Sequence, residues 1–358
     1  MKAKKKKLRI AVLASNVIKI PPFPPGKNVP EGWSGAPELV VHYLTEELVR
    51  RGHYVTLFAS GDSKTKAKLI SVNRKSSWNL NRLSEHVDYE YLLIAKAYQM
   101  AKKGYFDIIH SHFDTRSAHF ASLSDTPTLS TLHSRLKKEK VEILKHYKKT
   151  QYYASISNNQ RKPLPDLRYA ITAYNGVNIK EIPFSEKKED YIVFAGRIHP
   201  SKGVKEAIEV AKKLKTKLYI FGSNNAQEDY WAKVIKPNID GKLINYMGMV
   251  SRSKIFKYLK SAKAFIFPLQ WEEPFGLVAV EAMACGTPVI TFNRGSMPEI
   301  VKHNETGFVV KSVEEMAKSL EKIDNIDPYA CRKHVEENFT SEKMVDRYEK
   351  AYHKILNK

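Results

Sequence analysis

Residues 264–292 read AFIFPLQWEEPFGLVAVEAMACGTPVITF. The run AFIFPLQ is apolar and short, and TPVITF at 287–292 is a second such run, so both read as buried strands. Between them, LVAVEAMA lacks strand alternation and stops before Gly286, which marks a helix beginning after Phe275. A strand, a helix and a strand in so few residues form one crossover unit of a parallel sheet. The unit carries two acids: Glu273 precedes the helix, and Glu281 lies about a turn and a half inside it.

The same alternation extends along the chain. Upstream lie a strand YIVFAGRI from Tyr191, a helix KEAIEVAKKLK, a strand KLYIFGS and a helix KIFKYLKSA. The N-terminal half repeats the order: a strand LRIAVLAS at 8–15, a helix ending at Gly52, a strand from Tyr54 and a helix over Tyr89–Lys103. Strands FDIIHSHF at 106–113 and PTLSTLHS at 127–134 follow. Buried strands alternating with amphipathic helices predict an α/β fold with two Rossmann-like doubly wound domains. A length of 358 residues also suits two cores better than one. The polar, aperiodic stretch at 175–188 reads as the hinge. The expected domains are therefore 1–178 and 179–340, with an amphipathic terminal helix at 341–358 packing back on the first. Between Ile20 and Gly32 five prolines impose a loop near the end of the first strand.

Two cysteines, Cys285 and Cys331, stand far apart with no metal-ligand spacing, and a reducing compartment suits them. No stretch approaches the apolar length of a membrane-spanning helix, and the basic start lacks a cleavage site, so it reads as a tail leading into a strand. These features point to a cytoplasmic protein, at most peripheral on the inner membrane face. The formal charge is +22 and uneven: residues 1–180 hold 31 Lys and Arg against 14 Asp and Glu, or +17, and the rest 29 against 24, or +5. Such a field suits an anionic partner, whether a phosphate-rich substrate, a membrane or a nucleic acid. It equally suits a Lys-rich solvated surface of the kind found in heat-adapted proteins. A nucleic-acid or polyanion binder without catalysis is the competing class, but no recognisable module interleaves aromatic and basic residues here. No nucleic-acid partner is expected.

Ligands of doubly wound sheets bind beyond the carboxyl ends of the strands. There AGRIHPSKG, 195–203, places Arg197 and Lys202, with Gly196 and Gly203 allowing close backbone approach. Arg offers a fixed fork and Lys a compact charge, a combination that suits a diphosphate; two solvated loop charges are the plain alternative. At Phe275, Gly276 and Leu277 a helix start offers free N–H groups and a positive dipole end to a phosphate. A sugar on Glu273 and a ribose on Glu281, with the diphosphate between, explains both acids; a surface acid and a mid-helix acid is the alternative. SMPE at 296–299 matches a capping box of Ser296 with Glu299. No Asp-x-Asp pair appears at a strand end to hold a divalent ion, so neither a metal nor another cofactor is expected.

Together E-P-F-G-L-x-x-x-E, A-M-A-C-G-T-P-V-I and the upstream G-R-x-x-x-x-K-G resemble the retaining glycosyltransferases of family 4, whose fold is termed GT-B. RRGHYVTLFASGD, FDIIHSHF, AYNGVN and MVDRYEKAY are similar to that family's segments in the same order. The resemblance implies two Rossmann-like domains facing across a cleft, the first binding the acceptor and the second a nucleotide-sugar such as UDP-glucose or GDP-mannose. It implies Arg197 and Lys202 on the diphosphate, Glu281 on the ribose, and Glu273 with the amides of Phe275 to Leu277 on the donor sugar. From the first domain it brings His112 to the transferred sugar, whereas His110 reads as structural. Where the family has a Gly-Gly turn, this chain has Gly35-Ala36; Gly35 retains part of that freedom for the donor. The implied reaction is metal-independent transfer of a hexose, with retention, to a hydroxyl acceptor, lipid or glycan, anionic or lipid-linked. A same-fold epimerase or phosphorylase is the alternative within enzymes.

Overall fold

The computed structural model describes residues 6–22, 35–78, 84–225 and 227–357. The Pro-rich loop expected before α1 therefore falls largely outside the described residues, as do Lys4 and Lys5 of the basic start. The chain divides into two compact units, one ending at Gly176 and taken up again from Ser341, the other Val177–Thr340.

Unit 1 contains β1 (Arg9–Leu13), α1 (Ala36–Arg50), β2 (Tyr54–Phe58), β3 (Lys68–Ile70), α2 (His86–Lys102), β4 (Ile108–Ser111) and α3 (Arg116–Ala121). It continues with β5 (Thr128–Thr131), α4 (Lys138–His146), β6 (Tyr152–Ser155) and β7 (Tyr169–Thr172). All seven strands pair in parallel in the order β3-β2-β1-β4-β5-β6-β7. Ala11, Leu13, Phe58 and Ile109 bury one face of the sheet against Leu93 and Ile94 of α2. Each such Leu, Ile or Phe contributes about 1.5–3 kcal/mol relative to exposure.

Unit 2 contains β8 (Glu189–Ala195), α5 (Val204–Leu214), β9 (Lys217–Phe221), the short α6 (Glu228–Tyr230), β10 (Ile244–Gly248), α7 (Arg252–Leu259) and β11 (Ala262–Phe267). It continues with α8 (Leu277–Ala284), β12 (Val289–Phe292), α9 (Met297–Ile300), β13 (Gly307–Val310), α10 (Val313–Glu321) and α11 (Pro328–Asn338). Its six strands are parallel, in the order β10-β9-β8-β11-β12-β13. Both sheets reverse their winding beside their first strand, at β1/β4 and at β8/β11, which opens a crevice at the carboxyl ends of those strands. This is the α/β doubly wound architecture that the alternation predicts.

The final helix, α12 (Ser341–Leu356), belongs to unit 1. It buries Met344, Val345, Tyr348, Tyr352 and Ile355. Arg51, just past α1, donates to Asp346 at 2.7 Å and Glu349 at 3.0 Å, and His53 meets Glu349 at 2.9 Å. The 175–188 stretch is not a loose tether. Val177 N donates to the Phe339 carbonyl at 2.9 Å, and the Arg332 guanidinium donates to the carbonyls of Ile179 and Ile182.

Candidate active site

The turn after β8 and the turn after β11 are laced together at the switch point of unit 2. Gln270 N donates to the Ser201 carbonyl at 2.8 Å. Gly203 has φ +78°, and a Cβ on it would sit 1.9 Å from the Pro268 carbonyl oxygen, so this glycine lets the two turns touch. Its freedom serves protein packing, not the ligand approach expected of it. Gly196 adopts ordinary backbone, and an added Cβ would meet the Phe194 ring at 3.5 Å.

Lys202 ends a single 3₁₀ turn, Pro200–Lys202, and points across to Glu273. Its Nζ pairs with Glu273 Oε2, which also accepts from Trp271 Nε1 at 3.0 Å. The ammonium lies 4.7 Å from the Trp271 ring centroid. Both ends of the pair are largely sheltered, with side-chain exposures of 12% and 14%. Arg197 lies half-buried in the same turn. Burial depresses His199, and the positive charges of Arg197 and Lys202 depress it further, as expected where two cations converge.

Phe275 is buried edge-on against Phe339, with ring centroids 6.0 Å apart. Gly276 caps α8 with φ +90°, and a Cβ there would strike Met297 Cε at 2.5 Å. Among the described residues no hydrogen bond engages the amides of Gly276 or Leu277, so both stay available at the positive end of the helix. The turn is pinned from behind, where Ser296 Oγ donates to the Phe275 carbonyl at 2.6 Å. This overturns the capping box expected at Ser296: its hydroxyl makes no cap bond in α9 and secures the Gly276 turn instead. Glu281 follows on α8, 8% exposed, and its Oε1 accepts from Arg252 Nη2. Sequence reasoning missed Arg252, Trp271 and the two carboxylate–cation pairs.

In unit 1, His112 follows β4. Its Nδ1 lies 2.7 Å from Nε2 of His133, which follows β5, while its Nε2 is buried without a partner. His110 has both nitrogens engaged, by Tyr352 Oη at 2.6 Å and Thr131 Oγ1 at 2.7 Å, which makes it structural. Burial is the main cause holding all three rings neutral: His110 falls to about 3, His133 to about 4, and His112 well below its ordinary value with its neighbours' help. Asp114 accepts from His133 N and from the Ser134 hydroxyl, at 2.8 and 2.6 Å. Burial would raise its carboxyl, but Lys140 and His133 keep it low. Lys140 is thus paired with Asp114, unlike the exposed Arg135, Lys137 and Lys138 of the same basic run. Gly35 is the left-handed N-cap of α1. Three residues on, buried Glu38 is pushed up to about 7 by desolvation, with Glu90 adding.

Two doubly wound parallel sheets, one bearing Arg197 and Lys202 in the turn at its switch point, define an α/β protein of two Rossmann-like units. Residues 37–179 match the description "Glycosyltransferase Family 4" and residues 177–338 match "Glycosyl transferases group 1". The chain belongs to this family and is a glycosyltransferase of the GT-B fold. An uncharacterized glycosyltransferase of Methanocaldococcus jannaschii is 28% identical over 276 residues, 70% of this chain and 76% of its own. Other curated relatives are matched over about half their length, 47% and 48%. In fold the chain is similar to sucrose-phosphate synthase from Thermosynechococcus elongatus, with TM-score 0.73, 18% identity and coverage of 98% and 100%. It is also similar to HepE from Anabaena in complex with UDP and glucose, with TM-score 0.70, 18% identity and coverage of 97% and 99%. Among the described residues no helix is long and apolar enough to cross a membrane.

Proposed function

We propose that the protein transfers a hexose from a UDP- or GDP-linked donor to a hydroxyl acceptor, with retention and without a metal. Unit 2 takes the donor and unit 1 the acceptor. The observation that supports this reading is the laced pair of turns, in which Lys202 pairs with Glu273 three residues before the open amides of Gly276 and Leu277, with Arg197 in the same turn as Lys202. As the bond from the sugar's C1 to the diphosphate oxygen breaks, negative charge grows on the leaving group, where those cations and amides stabilise it. Glu273 accepts from sugar hydroxyls and Glu281 from the ribose. The acceptor oxygen bonds to C1 on the face the phosphate leaves, and the phosphate oxygen takes the acceptor's proton. Neutral His112, held by His133, offers its unpartnered Nε2 to the transferred sugar. HepE, bound to UDP and glucose on a similar fold, supports the choice of donor class.

The acceptor is anionic or lipid-linked in this reading. Support comes from the +17 half and from exposed Arg135, Lys137 and Lys138 at the start of α4. The function is tested by offering UDP- and GDP-hexoses singly and measuring thermal stabilisation and donor hydrolysis. Failure of every nucleotide-sugar to do either contradicts it.

A further inference from the structure

We propose that Arg252 is a positioning residue for the nucleotide's ribose, orienting Glu281 so that one carboxylate oxygen is left to accept from the vicinal hydroxyls. The inference rests on the reading of Glu281 as the ribose acceptor. It adds a residue 29 positions away in sequence, on another helix.

Arg252 is the first residue of α7, whose start is fixed by Ser251, the N-cap that accepts from Lys254 N at 3.3 Å. Its guanidinium lies 5.1 Å from the ring centroid of Phe256, one turn further along the same helix. Its Nη2 donates to Glu281 Oε1. An aromatic face and a carboxylate thus fix a planar fork, which limits the rotamers open to both side chains. Glu281 has an 11% exposed side chain, and without a cation its charge would be poorly compensated. Oε2 makes no hydrogen bond among the described residues. A carboxylate with one oxygen engaged by Arg and the other open is preset to receive two adjacent hydroxyls.

The test is calorimetric titration of the full chain with UDP and with GDP, each beside its 2′,3′-dideoxy counterpart, for the native protein, Arg252→Ala and Arg252→Lys. The native protein is expected to prefer the ribose form by about tenfold or more, since hydrogen bonds to a charged group are involved. Arg252→Ala should erase that preference by weakening the ribose form alone, leaving the dideoxy form within twofold; Arg252→Lys should restore part of it. Thermal melts of each variant check folding. Equal weakening of both forms, or an unchanged preference, overturns the inference while leaving Glu281 on the ribose. Absence of any preference in the native protein overturns both.

Discussion

Replacing Glu273 with Gln should push nucleotide binding and sugar transfer in opposite directions. Without donor, Glu273 holds Lys202, the cation assigned to the diphosphate. Two unit charges at contact in a partly buried setting attract by about 4 kcal/mol before desolvation is counted. Desolvation and side-chain ordering reduce the net value to about 1 kcal/mol. Gln keeps the shape and an oxygen for Trp271 Nε1 but drops the charge, so Lys202 reaches the diphosphate without leaving a carboxylate. Affinity for the nucleoside diphosphate should rise by about 1 kcal/mol, about fivefold. Transfer should fall about tenfold or more, because a neutral amide accepts more weakly from the sugar hydroxyls. Calorimetry with UDP and GDP reads the first effect and steady-state kinetics the second. A tenfold loss of nucleotide affinity in Glu273→Gln would refute the assignment of this acid to the sugar.

Lys202→Ala should weaken nucleoside diphosphate binding by about 1.5–3 kcal/mol. Native binding should be insensitive to excess chelator, and loss of affinity on chelation would contradict the metal-free reading. Glu38 should make stability depend on pH. Its carboxyl is raised to about 7 in the fold, so the protonated acid stabilises fully below about pH 4.5, and that stability, up to about 3 kcal/mol, is lost as pH rises through 7. Thermal melts of native protein and Glu38→Gln should diverge from pH 5 to 8, the native form losing ground; parallel curves would refute the raised carboxyl. Flotation with anionic liposomes should retain the protein at low salt and release it at high salt, while nucleotide binding changes little; indifference to lipid charge would favour a soluble acceptor.

The strands legible in the sequence are those buried on both faces, such as YIVFA in β8 and AFIF in β11, because parallel central strands are continuous apolar runs. The sheet edges were not legible. β3 is three residues long and β7 is only half-buried along its length, so neither leaves a periodic signal. α4 is rich in Lys and buries only Leu144, which hides it as a charge run. At the site, Arg197, Lys202 and the α8 start could be placed because each is local to one turn. Partnerships across turns could not: Lys202 and Glu273 are 71 residues apart, and Arg252 and Glu281 are 29 apart. A local pattern also misled where a tertiary partner competes, as with Ser296, claimed by the Phe275 carbonyl. His133 gave no sign beyond closing a strand, although it is the ring that holds His112.

The most direct test of nucleotide-sugar-dependent transfer with retention is proton NMR of the hexose first released when the protein turns over an α-linked UDP- or GDP-hexose, with water standing in for the acceptor. Same-face displacement at the unit 2 site predicts the α-anomer first, with the β-anomer appearing only by mutarotation. Initial release of the β-anomer would contradict it, as would turnover that persists undiminished in Lys202→Ala.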